Sequence, residues 1–132
     1  MNGHMKPADI EKRSFAIITE ELGGRTFPES VAEVVKRVIH TSADFDYADN
    51  LCFSPDAVEQ AKAALEAGAT IVTDTNMALA GISKPTLAKL GGKAVCLMAD
   101  EDVAREARTR GVTRATVSME HAAKLDGPLI FR

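Results

Sequence analysis

The sequence lacks the patterns that mark several common classes of protein. No apolar run approaches the roughly 18 residues that a membrane-spanning helix needs, and the polar start does not resemble a signal peptide. We therefore expect a cytoplasmic protein. The two cysteines, Cys52 and Cys96, form no CxxC motif and no paired Cys/His spacing, so we expect neither a disulfide framework nor a zinc site. No GxGxxG or P-loop pattern indicates nucleotide binding.

An excess of positive charge is also missing. The 132 residues include 16 Lys and Arg against 19 Asp and Glu, and the formal net charge of −3 gives no support to general nucleic-acid binding. The length is that of one domain, and we predict a single α/β domain over residues 1–132. Residues 1–5 read as an added leader with Met5 as the natural start, so His4 is left out of the candidate site.

The spacing of apolar residues predicts helices that alternate with short strands. Helical spacing over 8–22 indicates a first helix, and a second helix follows Pro28 and brings His40 to its end. Ser54 and Pro55 are typical of a helix start, which predicts a helix over 55–67. The further predicted helices cover 101–110 and 114–125, and the predicted strands cover 50–53, 69–73, 93–98 and the residues from 128 onward.

This alternation predicts a mainly parallel sheet covered by helices on both faces, a three-layer α/β/α fold. In such folds ligands bind beyond the carboxyl ends of the strands, which here are the loops at Ser54, 74–76 and 99–102. The chain stops inside a predicted strand, so we expect it to be a fragment of a longer domain.

His40 is the strongest single candidate for a chemical role. It follows a helical run and precedes an acidic loop over 41–50, where unpaired helix carbonyls and aspartates favour a protonated imidazole. Arg37, one helical turn earlier, opposes that protonation, so the sequence leaves the balance open. From spacing alone, a histidine at a helix end is more often a surface or capping residue than a catalytic one.

The carboxylates after His40 allow a second interpretation. His40 and Asp44 are four residues apart, and Asp46 and Asp49 follow, so Mg²⁺ or Mn²⁺ binding in a metal-dependent hydrolase is an alternative. Aspartates clustered after a helix are more often solvated loop residues or caps.

Three other segments place polar side chains at the boundaries of predicted elements. Asp74 and Asn76 follow a strand, where they either orient a polar ligand or cap the next helix. Ser83 with Lys84, and Thr113 with Arg114, each put a hydroxyl and a cation at a helix boundary, which suits both anion binding and ordinary capping.

Taken together, a series of motifs in register resembles the precorrin-8X methylmutase family from about residue 9 to the end of the chain. The run Ala43–Asp49 is more similar to the cobalt-dependent branch of that family. The motifs are Glu11-Lys12-Arg13-Ser14-Phe15, Arg37-Val38-Ile39-His40-Thr41-Ser42-Ala43-Asp44, Phe53-Ser54-Pro55, Gly68-Ala69, Asp74-Thr75-Asn76-Met77, Gly81-Ile82 and Gly111-Val112-Thr113-Arg114.

The resemblance implies a flavodoxin-like fold and a homodimer whose active sites lie near the subunit interface. It implies an isomerase of cobalamin biosynthesis that moves a methyl group from C11 to C12 of precorrin-8X or cobalt-precorrin-8, giving hydrogenobyrinic or cobyrinic acid. No cofactor is implied, and cobalt, where present, belongs to the substrate.

By the same resemblance, His40 is the catalytic proton donor or acceptor, and Ser14 and Arg37 contact the substrate. Arg114 with Thr113 is expected to hold acidic side arms of the macrocycle. The residues Asp74, Asn76, Ser83 and Lys84 are expected beside the substrate, and Met77, Leu79 and Ile82 are candidates for an apolar wall against the ring.

The sequence departs from the family at its end. The family's chain continues past Phe131 through a strand and a Gly-Asn-Ala-Pro-Thr-Ala-Leu-like loop, which this sequence does not contain. We therefore keep a non-catalytic tetrapyrrole-binding domain as the alternative function, and we expect dimerisation to cover an unpaired sheet edge.

Overall fold

A computed structural model describes residues 5–132 of the chain. Packing divides the chain into two compact units, with the boundary between Val58 and Glu59. Most of the predicted leader, residues 1–4, lies outside the described residues, and the prediction of one domain over the whole chain stays a prediction. In the part of the chain that the structure describes, no helix is both long and apolar enough to cross a membrane.

The first unit consists of helices that pack through an apolar seam. Its elements are α1 (Pro7–Glu21), α2 (Glu29–Ser42) and the short α3 (Tyr47–Asn50). Pro7 stands in the first turn of α1, where its fixed φ suits a helix and its missing N–H costs nothing. Ile18 and Leu22 from α1 are buried with Val35 and Ile39 from α2, and these pairs recur at the four-residue spacing of a helix face.

Helix α2 continues two residues past His40. Thr41 and Ser42 remain helical while their hydroxyls donate to carbonyl oxygens one turn back, over 3.0 Å to Arg37 and 2.7 Å to Val38. The helix ends at Ala43, whose φ of 56° is left-handed and whose N–H donates to the carbonyl of Ile39. His40 is therefore not the last helical residue. It lies within the last turn, where helix geometry holds its backbone.

The predicted strand over 50–53 is wrong. Asn50 ends α3, and the residues after it form no strand. Leu51 and Phe53 pack against the apolar seam of α1 and α2, while Cys52 between them is exposed. Leu51 and Phe53 thus alternate with Cys52 because one side of this segment contacts helices. Cys52 lies on the exposed side, although its apolar neighbours indicate a buried thiol.

The second unit contains a parallel sheet. Its strands are β1 (Thr70–Val72), β2 (Lys93–Val95) and β3 (Leu129–Phe131), in the order β2-β1-β3. Ile71 of the central strand lies opposite Ala94 on one side and Ile130 on the other. This arrangement confirms the predicted α/β class and the parallel sheet, although the strands are shorter than the apolar runs that predicted them.

Helices join these strands and supply most of the core of the second unit. α5 (Asn76–Gly81) and α6 (Lys84–Lys89) join β1 to β2, and α7 (Glu101–Arg110) and α8 (Arg114–Ala122) join β2 to β3. Helix α4 (Ala57–Glu66) precedes β1 and begins two residues before the second unit. Helix α4 begins later than predicted because Asp56, just before it, has a left-handed φ of 56°. Val103 and Ala107 of α7 are buried against Val117 of α8. This packing fixes the turn that carries Thr113 and Arg114.

Gly92 marks a close approach between the loop before β2 and its neighbours. A Cβ at this position would lie 2.6 Å from the carbonyl oxygen of Ala69 and 2.9 Å from the side chain of Leu87. Only glycine fits there without moving the backbone.

Candidate active site

One aromatic ring joins two of the predicted site residues in the first unit. The rings of Phe15 on α1 and His40 on α2 have centroids 5.5 Å apart and planes inclined by 38°. The guanidinium carbon of Arg37 lies 4.8 Å from the centroid of the same phenyl ring. A cation over an aromatic face at an exposed site contributes about 0.5–1 kcal/mol. Arg37 and His40, one turn apart on α2, therefore share a single contact on α1.

Arg37 has a second partner on α1. Its Nη2 lies 2.6 Å from Oε1 of Glu11, and more than a third of each side chain is exposed. An ion pair with that exposure contributes at most about 1 kcal/mol to stability. The ion pair also orients the side chain. Glu11 and Phe15 are four residues apart on α1 and hold the guanidinium from two directions.

Two cavities lie along the pair α1 and α2. The smaller, of about 210 Å³, is lined by Ser14 and His40 together with Ile18, Ile39 and Phe45, among others. The larger, of about 450 Å³, is lined by Glu11, Phe15 and Arg37 with Ala8, Lys12 and Glu33. Cavities of the larger size hold small ligands in other proteins. Ser14 and His40 thus line one cavity and Arg37 lines the other, and the roles predicted for these three residues stay predictions.

The acidic loop after His40 has structural partners. Asp44 Oδ1 accepts a hydrogen bond of 2.9 Å from the backbone N–H of Asp46, and Asp49 forms an ion pair of 2.6 Å with Arg25. Across residues 5–132, no group of three or more His, Cys, Asp or Glu side chains is placed to hold a metal ion. This geometry gives no support to the interpretation as a metal-dependent hydrolase, because Asp44 caps a turn and Asp49 pairs with Arg25.

The loop after β1 lies where parallel sheets usually bind ligands. Thr75 caps α5 by accepting a hydrogen bond of 3.1 Å from the N–H of Ala78, and the backbone N–H of Asp74 donates to the carbonyl of Arg132 over 3.0 Å. A cavity of about 420 Å³ opens beside this loop, lined by Thr75, Met77, Ala78, Gly81, Ile82 and Arg132. Two of the predicted wall residues line it, while the side chains of Asp74 and Asn76 are exposed nearby.

Ser83 and Lys84 make local contacts at the start of α6. The hydroxyl of Ser83 hydrogen-bonds to that of Thr86 over 2.9 Å, and the ammonium of Lys84 donates to the carbonyl oxygen of Leu79. The Lys84 contact ties α6 to the end of α5, so one donor of this ammonium is already engaged.

Thr113 and Arg114 differ in whether their side chains make hydrogen bonds within the described residues. Thr113 caps α8 by accepting a hydrogen bond of 3.1 Å from the N–H of Thr116. Arg114 is exposed and has no hydrogen bond or ion pair to any residue that the structure describes. No hydrogen bond or ion pair within 5–132 joins this turn to Asp74, Asn76, Ser83 or Lys84. Six of the nine predicted site residues therefore lie in the second unit without direct bonds between the three segments.

A charged network that the sequence analysis missed holds the same turn. Arg110 contacts Glu106 over 2.8 Å and Glu120 through two hydrogen bonds of 2.5 and 3.1 Å, and His121 Nε2 lies 2.7 Å from Glu106. The hydrogen bonds from His121 and then Arg110 lower the pKa of Glu106, and the hydrogen bond from Arg110 lowers the pKa of Glu120. The spacing of Glu106 and Arg110 indicates one of these pairs in advance. The contacts between α7 and α8 are visible only in the structure.

Comparison with known proteins identifies the family of the chain. The family described as precorrin-8X methylmutase matches residues 9–131. The chain belongs to the precorrin-8X methylmutase family. It is 39% identical over 120 residues to the cobalt-precorrin-8 methylmutase of Priestia megaterium, covering 91% of this chain and 53% of that one. The cobalt-precorrin-8 methylmutase of Salmonella typhimurium is 44% identical over 122 residues, covering 89% and 58%.

A solved structure supports the same family fold. The precorrin-8X methylmutase of Thermus thermophilus superposes with a TM-score of 0.77 at 36% identity, covering 89% of this chain and 56% of that one. The chain thus spans about half the length of the curated relatives that it matches. The resemblance deduced from the motifs is confirmed at the level of family and fold.

The charged network between α7 and α8 predicts a loss of stability in acid. Because Glu106 and Glu120 have folded-state pKa values below the ordinary 4.5, the unfolded chain binds more protons than the folded one in this pH range. Their contribution to the free energy of unfolding is complete above about pH 4.5 and is lost as the pH falls through the folded-state values. Urea unfolding from about pH 6 to about pH 3 measures this loss.

Arg110→Met removes the main cation of the network and should make the dependence on acid shallower than in the parent. Arg108→Met removes the same charge from the same helix outside the network and is the matched control. Parallel stability curves for the parent and Arg110→Met would contradict the prediction.

Proposed function

We propose that the chain carries the proton-transfer and part of the substrate-binding machinery of an isomerase in cobalamin biosynthesis. The reaction moves a methyl group from C11 to C12 of precorrin-8X or cobalt-precorrin-8 and gives hydrogenobyrinic or cobyrinic acid. The observation that supports this most directly is that Phe15 contacts both Arg37 and His40 in the segment shared with the family. Arg37 lines one cavity there, and Ser14 and His40 line another.

The chemistry matches a site with one histidine. A methyl group that migrates around a conjugated ring needs no enzyme nucleophile, but protonation draws electrons toward the carbon that receives the methyl group. His40 is exposed, and neither ring nitrogen is hydrogen-bonded to a residue within 5–132. Both nitrogens are therefore open to exchange a proton with a substrate.

The basic side chains suit a substrate with several carboxylates. Arg37 forms one ion pair with Glu11, and the five donors of Arg114 have no partner among residues 5–132. A planar guanidinium binds carboxylates in a bidentate fashion, so two arginines suffice to anchor side arms although the chain is acidic overall. We assign Ser14 and Thr113 to polar contacts with the substrate and Met77 and Ile82 to an apolar wall. Asp74, Asn76, Ser83 and Lys84 stay predicted neighbours.

We also propose that the protein is a homodimer in the cytoplasm. Helix α1 exposes Ile10 and Ile17, seven residues apart on one helical face, with 52% and 46% of their surfaces accessible. Burying such a face against a second copy removes apolar surface from water.

Light scattering after size-exclusion chromatography should give twice the mass of 14.1 kDa, and a monomeric mass at assay concentrations would contradict the dimer. Cell fractionation tests the location.

His40→Ala tests the proposed function. With enzymatically prepared cobalt-precorrin-8 and absorbance as the measure of conversion, this change should lower kcat by about 100- to 10,000-fold, the usual contribution of a proton-transfer group. Binding of cobyrinic acid, followed by calorimetry, should change by less than about threefold, because the imidazole acts on the transition state.

The outcomes of this experiment separate the two candidate functions. Equal rates for the parent and His40→Ala would contradict the role of His40 in proton transfer. Binding of cobyrinic acid without turnover by the parent would support a non-catalytic tetrapyrrole-binding domain. A parent that neither binds nor converts the corrin would contradict both functions.

Arg114→Met should weaken the binding of cobyrinic acid by about 10- to 100-fold, the loss expected for charge-assisted hydrogen bonds worth about 1.5–3 kcal/mol. Arg114→Lys keeps the charge but not the planar fork and should fall between Met and the parent. Arg108→Met removes a charge from the preceding helix and is the control. Equal affinities for Arg114→Met and Arg108→Met would show that Arg114 contributes only general charge.

A further inference from the structure

We propose that Phe15 is a positioning residue that fixes Arg37 and His40 relative to each other. The functional part of this inference rests on the proposed function, which assigns proton transfer to His40 and carboxylate binding to Arg37. The structural part, that one phenyl ring orients both side chains, is independent of any substrate.

The position of Phe15 is set by the best-packed part of the first unit. Ile18, three residues later on the same face of α1, is buried against α2 together with Leu22, Val35 and Ile39. Phe15 itself is half-buried, one turn beyond this seam. The seam therefore sets where Phe15 lies on α1, and its ring meets the side chains of Arg37 and His40 that approach from α2.

Phe15 supplies the ring contact that the structure gives to the imidazole of His40 within residues 5–132. A histidine that transfers protons is usually aligned by a hydrogen bond to its second ring nitrogen. Within residues 5–132, His40 has no hydrogen bond and no ion pair, and its contact with another side chain is the ring of Phe15 at 5.5 Å. Packing against Phe15 thus takes the place of a hydrogen-bonding partner and leaves both nitrogens accessible.

The same ring completes a two-point hold on Arg37. Glu11 contacts the guanidinium through one oxygen at 2.6 Å, while Phe15 lies under its plane at 4.8 Å. Ordering a free arginine costs side-chain entropy, and this arrangement meets that cost before a ligand arrives. Because Glu11 uses one of five donors, the others stay open to a carboxylate.

Nuclear magnetic resonance tests the structural part directly. The ring current of Phe15 should displace the imidazole carbon-bound proton signals of His40 from their unfolded values. Phe15→Leu keeps apolar volume but removes the ring, and it should return the His40 signals toward the unfolded values. Phe15→Tyr keeps the ring and should keep the displacement. His121, which lies in the second unit, is the internal reference.

Tyr47→Leu is the control for the loss of an aromatic side chain from the first unit, because Tyr47 is 38% exposed and lines neither cavity. It should leave the His40 signals unchanged. If Phe15→Leu is folded by circular dichroism and its His40 signals coincide with those of the parent, the inference is wrong whether or not the chain turns over substrate. If Phe15→Leu does not fold, loss of the His40 displacement in a folded Phe15→Tyr overturns the inference.

Enzyme kinetics test the functional part. Misplacing a reacting group by about 1 Å costs up to about 100-fold in rate, so Phe15→Leu should lower kcat by about 10- to 100-fold. Phe15→Tyr should restore kcat to near the parent value, and Phe15→Leu should have no further effect on kcat in a His40→Ala background. A purely structural role would instead lower the unfolding free energy and leave kcat unchanged.

The controls distinguish failure of this inference from failure of the proposed function. If His40→Ala retains full activity, the assignment of His40 is wrong. If His40→Ala loses activity and a folded Phe15→Leu keeps the kcat of the parent, His40 is catalytic and Phe15 does not position it.

Discussion

The packing of α1 against α2 is the constraint on which the candidate active site depends. Ile18, Leu22, Val35 and Ile39 are buried in one seam, and each fully buried side chain of this size contributes about 1.5–3 kcal/mol. The seam sets the rotation of both helices about their axes. Once that rotation is set, Phe15 of α1 must face the positions of Arg37 and His40 on α2. The polar site is thus a consequence of apolar packing one turn away.

The central strand has a comparable role in the second unit. β1 pairs with β2 on one side and β3 on the other, and the pairing continues past the strand ends, where Thr73 donates to Val95 and Arg132 donates to Val72. These bonds fix the start of the loop over 74–76, and Thr75 then begins α5 as its cap. The loop is therefore held at both ends by backbone hydrogen bonds, which is how a parallel sheet presents short polar segments at its carboxyl edge.

The helices and the parallel strands were predictable because each has a local signal. Apolar residues at helical spacing marked α1 and α2, a β-branched run marked β1, and a short apolar run after Pro128 marked β3. The segment 50–53 shows the limit of such signals, since alternating Leu51 and Phe53 pack on helices as readily as on a sheet. The motifs identified the family, and the site residues that they indicate stay predictions. Glu11 and Phe15 were not predicted as site residues because their partners are on another helix. No spacing in the sequence encodes how the two helices are rotated about their axes.

Ion pairing separates the arginines of this chain by role. Arg110 is engaged by two carboxylates, and its hydrogen bonds to Glu120 and Glu106 raise its pKa further, so its charge serves the packing of α7 against α8. Arg114, four residues later, has no such partner in the part of the chain described. Arg37 is intermediate in the number of its partners. One carboxylate and one aromatic ring orient it, and most of its donors are not used by these contacts. An acidic chain can therefore still present guanidinium donors to an anion, because unsatisfied donors act locally while net charge is a property of the whole chain.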